Sequence, residues 1–278
     1  MKKISKSKRK IIYFSIYTIL ALLIILSIIY IANNFLSKKQ AIQESQLLDK
    51  IEIDENQVEE ANKITEEIEE TTQENIQETA NQNSERILKV QKLQEENPDI
   101  VGWLEIEGTS INYPVLQGTD NEYYMTHNYK KQKSKNGSIF LTKDYDWSIP
   151  SSNLLMYGHN LNNGTMFQEL LKYAKEEFYK EHPIIRFTTN KEDAEYEIIS
   201  VFKSRVYYKT EKNVFRYYFF VNANSEAEYN EFVQNAKKAS LYDIDKTAKF
   251  GDQLITLSTC SYHVEDGRFA VVGRKTRG

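Results

Sequence analysis

The chain has 278 residues, of which 40% are hydrophobic, and a formal net charge of −4. This length allows one or two domains, and the composition supplies enough apolar side chains for a core. No cluster of Arg and Lys is interleaved with aromatic residues, so the composition argues against a nucleic-acid-binding protein. Cys260 is the single cysteine. An intramolecular disulfide is therefore excluded, and the thiol is free for chemistry.

The first segment has the pattern of a membrane anchor. Residues 1–10 contain six basic residues, and residues 11–32 contain no charge. As a helix, those residues would reach about 33 Å, enough to cross the hydrocarbon core. A cleaved signal peptide would have a shorter apolar region and a small-residue cleavage site. Only Lys38 and Lys39 follow closely, so we predict a cytoplasmic tail (1–10) and a single-pass anchor (11–32) in the cell membrane, with the remainder extracellular.

The second segment, residues 33–84, is predicted to be an acidic, partly helical stalk. Residues 40–97 hold 16 Asp and Glu against 5 Lys and Arg, with a thin apolar stripe at helical spacing. The stripe lacks the regular heptads of a coiled coil, which favours a solvated stalk. A firmer helix is predicted over 85–96, with Asn83 or Ser84 as its N-cap and Asn97-Pro98 at its end. We expect this helix to pack on the domain that follows.

The third segment, residues 85–278, is predicted to be a globular domain with an N-terminal helix. All 10 Gly and all 4 Pro of the chain lie from residue 98 onwards. Two helices are expected, over 166–180 and 225–239. Short β-like runs recur between turn signals, at 102–106, 110–115, 137–141, 153–157, 184–188, 194–208, 215–221, 253–260 and 268–274. Without βαβ alternation, this pattern predicts a mostly β fold with a largely antiparallel closed sheet and flanking helices.

Cys260 ends the run Leu254-Ile255-Thr256-Leu257-Ser258-Thr259-Cys260. Strand alternation places the thiol on the face shared with Ser258, which we expect to open towards a groove. A hairpin would return Arg268 to the thiol, where a guanidinium can stabilise an oxyanion. The alternatives are a small buried cysteine and an arginine paired with Glu265 or Asp266 at the surface.

A cysteine nucleophile needs a proton carrier, which is most often a histidine. His127 lies in a polar stretch that is typical of a loop, and His182 precedes Pro183 after a helix. His159 follows the apolar strand 154–157 and a glycine, so its side chain can project into a site. The spacing favours His159 as the general acid and base. His263, three residues after the cysteine, is the second candidate.

Several blocks of the sequence resemble the sortase family. TLSTC at 256–260, followed by Arg268 at the start of an apolar strand, resembles the active-site signature, and LLMYGHN at 154–160 resembles the histidine motif. The class B branch is the most similar, through NPDIVGWLEIEGTSINYPVLQG at 97–118, DNEYYMTHNY at 120–129, NGSIFL at 136–141 and the helical insertion near 223–246. The resemblance covers roughly residues 85–275.

The resemblance implies an eight-stranded sortase-type β-barrel and a cysteine transpeptidase of Gram-positive bacteria. Cys260 would be the nucleophile, His159 the general acid and base, and Arg268 the stabiliser of the oxyanion and the substrate. No cofactor and no metal is implied. The family pattern also places four residues along the peptide-binding groove: Asn121, Met125, Ser258 and Thr259. Packing is the alternative role for Met125.

The implied partners are secreted proteins with a C-terminal sorting signal, of NPQTN-like or PxTG-like sequence. The enzyme would cleave after threonine and transfer the protein to an amino group of a peptidoglycan or lipid-linked cell-wall precursor. A class B-like pilus polymerase, which joins pilins through lysine, is an alternative. A cysteine endopeptidase and a non-enzymatic, membrane-tethered adhesion module are further alternatives.

Overall fold

The computed structural model describes residues 6–49, 75–149 and 151–278. The first helix, α1, runs over Lys6–Asp49. Its segment Tyr13–Gln40 has a mean hydropathy of 2.6 and exposes its apolar side chains throughout. At about 1.5 Å per residue, this segment spans about 42 Å, so the helix is long and apolar enough to cross a membrane. The predicted stalk between residues 50 and 74, and the first five residues of the tail, lie outside the described residues.

Helix α2 spans Asn75–Glu96. It ends before Asn97-Pro98, as predicted, but the predicted start near Asn83 and Ser84 is wrong. The helix continues through both residues, because the preceding residues from Asn75 contain no glycine or proline to stop it. Val90 and Leu93 are fully buried and pack with Trp103 of the domain. The predicted packing of this helix on the domain is therefore confirmed.

Eight strands form one closed barrel, in the order β1-β2-β3-β4-β7-β8-β6-β5. The predicted eight-stranded barrel is therefore confirmed. Six of the neighbouring pairs are antiparallel, and the pairs β2–β3 and β4–β7 are parallel. The strands are β1 (Ile100–Glu105), β2 (Asn112–Leu116), β3 (Ile139–Leu141), β4 (Asn153–Tyr157), β5 (Ile184–Thr188), β6 (Asp193–Arg205), β7 (Leu254–Cys260) and β8 (Gly267–Arg277).

The barrel interior is apolar, and the alternation of β7 shows how the strands build it. Ile255 and Leu257 belong to the main core, whereas Leu254 joins an outer cluster with residues of helix α4 (Glu226–Ala239). Ser225 is the N-cap of helix α4, and its side chain accepts a hydrogen bond from the Glu228 amide. This N-cap satisfies a donor that the helix cannot pair internally. The insertion before β7 thus covers one outer face of the barrel.

Two sequence predictions about local structure are wrong. Residues 215–221 form no strand; instead Tyr217–Phe219 is a 3-10 helix, with Tyr217 and Phe220 buried and Phe219 75% exposed. The predicted helix over 166–180 consists of a 3-10 helix, Phe167–Ala174, and a short helix α3, Glu176–Glu181. The 3-10 helix buries Phe167, Leu170 and Tyr173. In Phe167–Ala174 and around Tyr217–Phe219, the buried residues are three positions apart, which matches the three residues per turn of a 3-10 helix.

Candidate active site

A cavity of about 230 Å³ opens at the end of β4 and β7. All seven residues predicted from the sequence as site residues line it. Three further residues, Phe140, Tyr157 and Gly158, complete the lining. The predicted residues are Asn121, Met125, His159, Ser258, Thr259, Cys260 and Arg268. Segments more than 100 residues apart in sequence therefore meet at one site.

Cys260 is the last residue of β7, and it is half-buried. It pairs directly with Arg268 across the β7–β8 hairpin. The other residues on its face of the strand are covered: Leu254 packs beneath the insertion, and Ser258 is buried. The prediction of an open face is therefore only partly right: Ser258 and Cys260 line the cavity, but α4 and the residues before it cover Leu254. From β7, only the last three residues, 258–260, line the cavity.

His159 leaves the barrel two residues after the end of β4. Gly158 makes this exit tight, since a Cβ there would lie 2.4 Å from Ile139 Cδ1 and 2.7 Å from Phe167 Cδ2. The imidazole Nε2 lies 2.7 Å from the Met125 carbonyl oxygen. Because a carbonyl only accepts hydrogen bonds, Nε2 carries a proton in this contact. In the neutral ring, Nδ1 is then the basic nitrogen.

The other three histidines have contacts elsewhere, and none of them lines this cavity. His127 stacks on Tyr123, with 4.0 Å between ring centroids. His182 Nδ1 lies 2.8 Å from the Glu107 carbonyl. His263 Nδ1 lies 3.0 Å from Ser261 Oγ, and burial together with nearby Lys203 lowers the pKa of His263. Because His159 lines the cavity and His263 does not, the structure favours His159 over the second candidate for the general acid and base.

The Arg268 guanidinium bonds to main-chain oxygens, 3.0 Å from the Gly267 carbonyl and 3.3 Å from that of Asp266. Within the described ranges it forms no ion pair with a carboxylate, so the surface pairing with Glu265 or Asp266 is not found. Its positive charge partly opposes the effect of burial on Tyr157, whose pKa burial raises to about 12. The guanidinium is thus a cationic donor at the edge of the cavity.

The hydroxyls of Ser258 and Thr259 are used within the protein. Ser258 Oγ shares a hydrogen bond of 2.7 Å with Tyr217 Oη, and Thr259 Oγ1 donates to the Gly158 carbonyl at 2.8 Å. Burial raises the pKa of Tyr217. The sequence reasoning missed Tyr217 and the two hydroxyl bonds. No signal in the sequence distinguishes Tyr217, because it lies in a run of four consecutive aromatic residues, 217–220.

Asn121 and Met125 also line the cavity: Asn121 precedes the 3-10 helix Tyr123–Met125, and Met125 is its last residue. Asn121 Oδ1 accepts a hydrogen bond from the Lys143 amide at 2.8 Å, which fixes the carboxamide. The Met125 side chain is 40% exposed, while its carbonyl contacts His159. No cluster of three or more His, Cys, Asp or Glu that could hold a metal ion occurs in residues 6–49, 75–149 and 151–278.

A sortase-domain family model matches residues 104–276. Sortase B of Listeria monocytogenes is 35% identical over 200 residues, which cover 70% of this chain and 77% of that protein. Sortase B of Staphylococcus aureus is 32% identical over 186 residues, covering 66% and 73%. A solved S. aureus sortase B–substrate complex superposes with a TM-score of 0.61 and 31% identity, covering 68% of this chain and 85% of that one.

The family model spans more than half of the chain, and the alignments with the two sortase B relatives cover more than two thirds of each relative's own length. The barrel provides an independent agreement at the level of the fold. The chain therefore belongs to the sortase family, among the class B sortases, and is a cysteine transpeptidase.

Proposed function

We propose that this sortase cleaves a C-terminal sorting signal after threonine and transfers the protein to an amino group of a cell-wall precursor. The observation that carries the proposal is the common cavity of Cys260, His159 and Arg268. Its volume of about 230 Å³ is below the 300–1,000 Å³ typical of pockets for drug-sized ligands. The cavity would therefore enclose the threonine and its neighbours, and the rest of the signal would lie along the surface.

In the first step, the Cys260 thiolate attacks the threonine carbonyl carbon and forms a C–S bond. The Arg268 guanidinium would stabilise the negative charge that develops on the carbonyl oxygen, and the direct pairing of Arg268 with Cys260 across the hairpin supports this role. The C–N bond then breaks as His159 gives a proton to the leaving amine. The products of this step are a thioester and the released C-terminal peptide.

In the second step, an amino group of the precursor attacks the thioester. His159, now neutral, takes a proton from the attacking amine, and the C–S bond breaks to regenerate the thiolate. The new amide joins the secreted protein to the precursor. Asn121, Met125, Ser258 and Thr259, which line the cavity, would contact the sorting signal. Because the two hydroxyls are already bonded internally, Ser258 and Thr259 would contribute shape more than hydrogen bonds.

The proposal is tested by incubating the full chain, in detergent micelles, with a threonine-containing sorting peptide and an amine. Mass spectrometry should detect a thioester on Cys260 and an amide product, and Cys260→Ala should form neither. His159→Ala should lower kcat/KM by about 10²-fold or more, and Arg268→Ala by about 10²–10³-fold.

His263→Ala is the matched control and should keep most of the activity, because His263 does not line the cavity. Full activity in His159→Ala with none in His263→Ala would reverse the assignment of the histidine. A wild-type chain that forms no thioester with NPQTN-like or PxTG-like peptides would refute the proposed substrate class.

A further inference from the structure

The main-chain ladder between β4 and β7 stops before the two reactive side chains. Its last pair is Tyr157 with Ser258, and a final hydrogen bond runs from the Gly158 amide to the Ser258 carbonyl at 3.2 Å. His159 and Cys260 lie beyond that point. On the other side, Cys260 is held by its pairing with β8. The distance between the side chains of His159 and Cys260 therefore depends on the contacts that join the two segments beyond the last main-chain hydrogen bond.

Two hydrogen bonds from side chains join them. Thr259 Oγ1 donates to the Gly158 carbonyl at 2.8 Å, and Asn160 Nδ2 donates to the Cys260 carbonyl at 3.0 Å. One donor lies on each segment. On the first segment, the bonded groups are the Gly158 carbonyl and the Asn160 side-chain amide, which flank His159 in sequence. On the second segment, the bond from Asn160 ends on the backbone carbonyl of Cys260. Resting on the proposed function, we propose that Asn160 is a positioning residue whose amide holds the Cys260 backbone beside His159.

Asn160 can act in this way because its own backbone is fixed from the core. It forms a β-bridge with Met166, and the Phe167 amide donates to the His159 carbonyl at 2.9 Å. Met166 and Phe167 are both buried in the main core. The segment that carries His159 is thus anchored to the barrel interior, and the Asn160 amide extends that anchorage to Cys260.

The chemistry of the contact determines which substitutions are informative. Asn160→Ala removes the donor, and because Asn160 is only half-buried, water can reach the Cys260 carbonyl and the fold should survive. Asn160→Asp keeps the shape but sets an acceptor against an acceptor, so it should be the more damaging change. Asn160→Gln keeps an amide donor on a longer side chain and should restore part of the function. Asn162→Ala, at an exposed asparagine of the same loop, is the matched control.

The first measurement is steady-state transpeptidation by the full chain in micelles. Asn160→Ala should lower kcat by about tenfold or more while KM changes little, since misplacement of a catalytic group acts on the chemical step. The loss should be larger for Asn160→Asp and smaller for Asn160→Gln. Equal kcat values for Asn160→Ala, Asn160→Asp and the Asn162→Ala control would overturn the proposal.

The second measurement is the rate of Cys260 alkylation by iodoacetamide as a function of pH, which needs neither sorting peptide nor amine. Asn160→Ala and Asn160→Asp should shift the profile, and Asn160→Ala should add no shift in a His159→Ala background. An unchanged profile, or an additive shift, would overturn the positioning role. A shifted profile in a chain that transfers no sorting peptide would support the role of Asn160 and refute only the proposed function.

Discussion

Tyr217 and Ser258 share a hydrogen bond of 2.7 Å, and both residues are buried; Ser258 lies two residues before Cys260 in β7. Tyr217→Phe would leave the Ser258 hydroxyl without this partner in an apolar environment. Such an unsatisfied group costs about 1–3 kcal/mol. We therefore expect Tyr217→Phe to lower the free energy of unfolding by this amount, measured by thermal or urea unfolding of the full chain in micelles.

The double variant Tyr217→Phe/Ser258→Ala is the control for this prediction. Removing both polar partners leaves no buried hydroxyl unsatisfied, so the double variant should be more stable than Tyr217→Phe alone. Additive losses from the two substitutions would show that the hydrogen bond contributes nothing and that packing explains the whole effect.

At the same scale, the sequence could predict the pairing of Cys260 with Arg268 because the two strands are joined by a short loop. Alternation and a turn signal are local information, and the register places the two residues opposite each other. The approach of His159 to Cys260 depends on the parallel pair β4–β7, between segments 100 residues apart. No local pattern encodes such a pair, so spacing left His263 open as an alternative.

At the scale of elements, β4 passes into the loop carrying His159 through a close contact with β3 and the 3-10 helix Phe167–Ala174. A Cβ on Gly158 would come within 2.4 Å of Ile139 Cδ1 and 2.7 Å of Phe167 Cδ2. Gly158→Ala should therefore cost about 1–3 kcal/mol by overpacking. It should also lower kcat, because the displaced loop carries His159. Unfolding and transpeptidation measurements on the same samples would check both effects.

Ile139→Val removes the carbon atom nearest to the introduced Cβ. Gly158→Ala/Ile139→Val should therefore recover part of the lost stability, although the contact with the Phe167 ring remains. A double variant no more stable than Gly158→Ala would show that Ile139 is not the group that clashes.

Gly164 lies at a positive φ of 83° with open space around its Cβ position, so Gly164→Ala tests backbone strain without a clash.

The strands were predictable where short apolar runs lie between turn signals, as in β4 and β5, whose predicted bounds agree with the structure. The structure of residues 215–221 was not predictable in this way, because consecutive aromatic residues fit the apolar pattern of a strand and of a helix equally well. The burial of these residues depends on contacts of Tyr217 and Phe220 with α4 and β7, which are set by the tertiary fold. The 3-10 helix and α3 are separated by Lys175, whose backbone is extended at φ −105° and ψ 130°.

At the scale of the whole molecule, the barrel brings together one proposed catalytic residue from each of three segments. His159 follows β4, Cys260 ends β7 and Arg268 begins the apolar part of β8, and these strands are neighbours in the barrel. Closure of the sheet leaves no free edge that could shift in register. The site is therefore built on rigid elements, and the segment after β4 is itself anchored to the core by the bridge between Asn160 and Met166.

The orientation of the whole chain can be tested with its single cysteine. Six basic residues before the apolar segment and two closely after it favour a cytoplasmic N-terminus, and Cys260 would then lie outside the membrane. A membrane-impermeant maleimide should label the wild-type chain in intact cells and should not label Cys260→Ser. In the Cys260→Ser background, Ser5→Cys should be labelled only after the cells are permeabilised. Labelling with the opposite pattern would show an inverted chain, and release of the labelled protein from the membrane fraction would show that α1 is not a stable anchor.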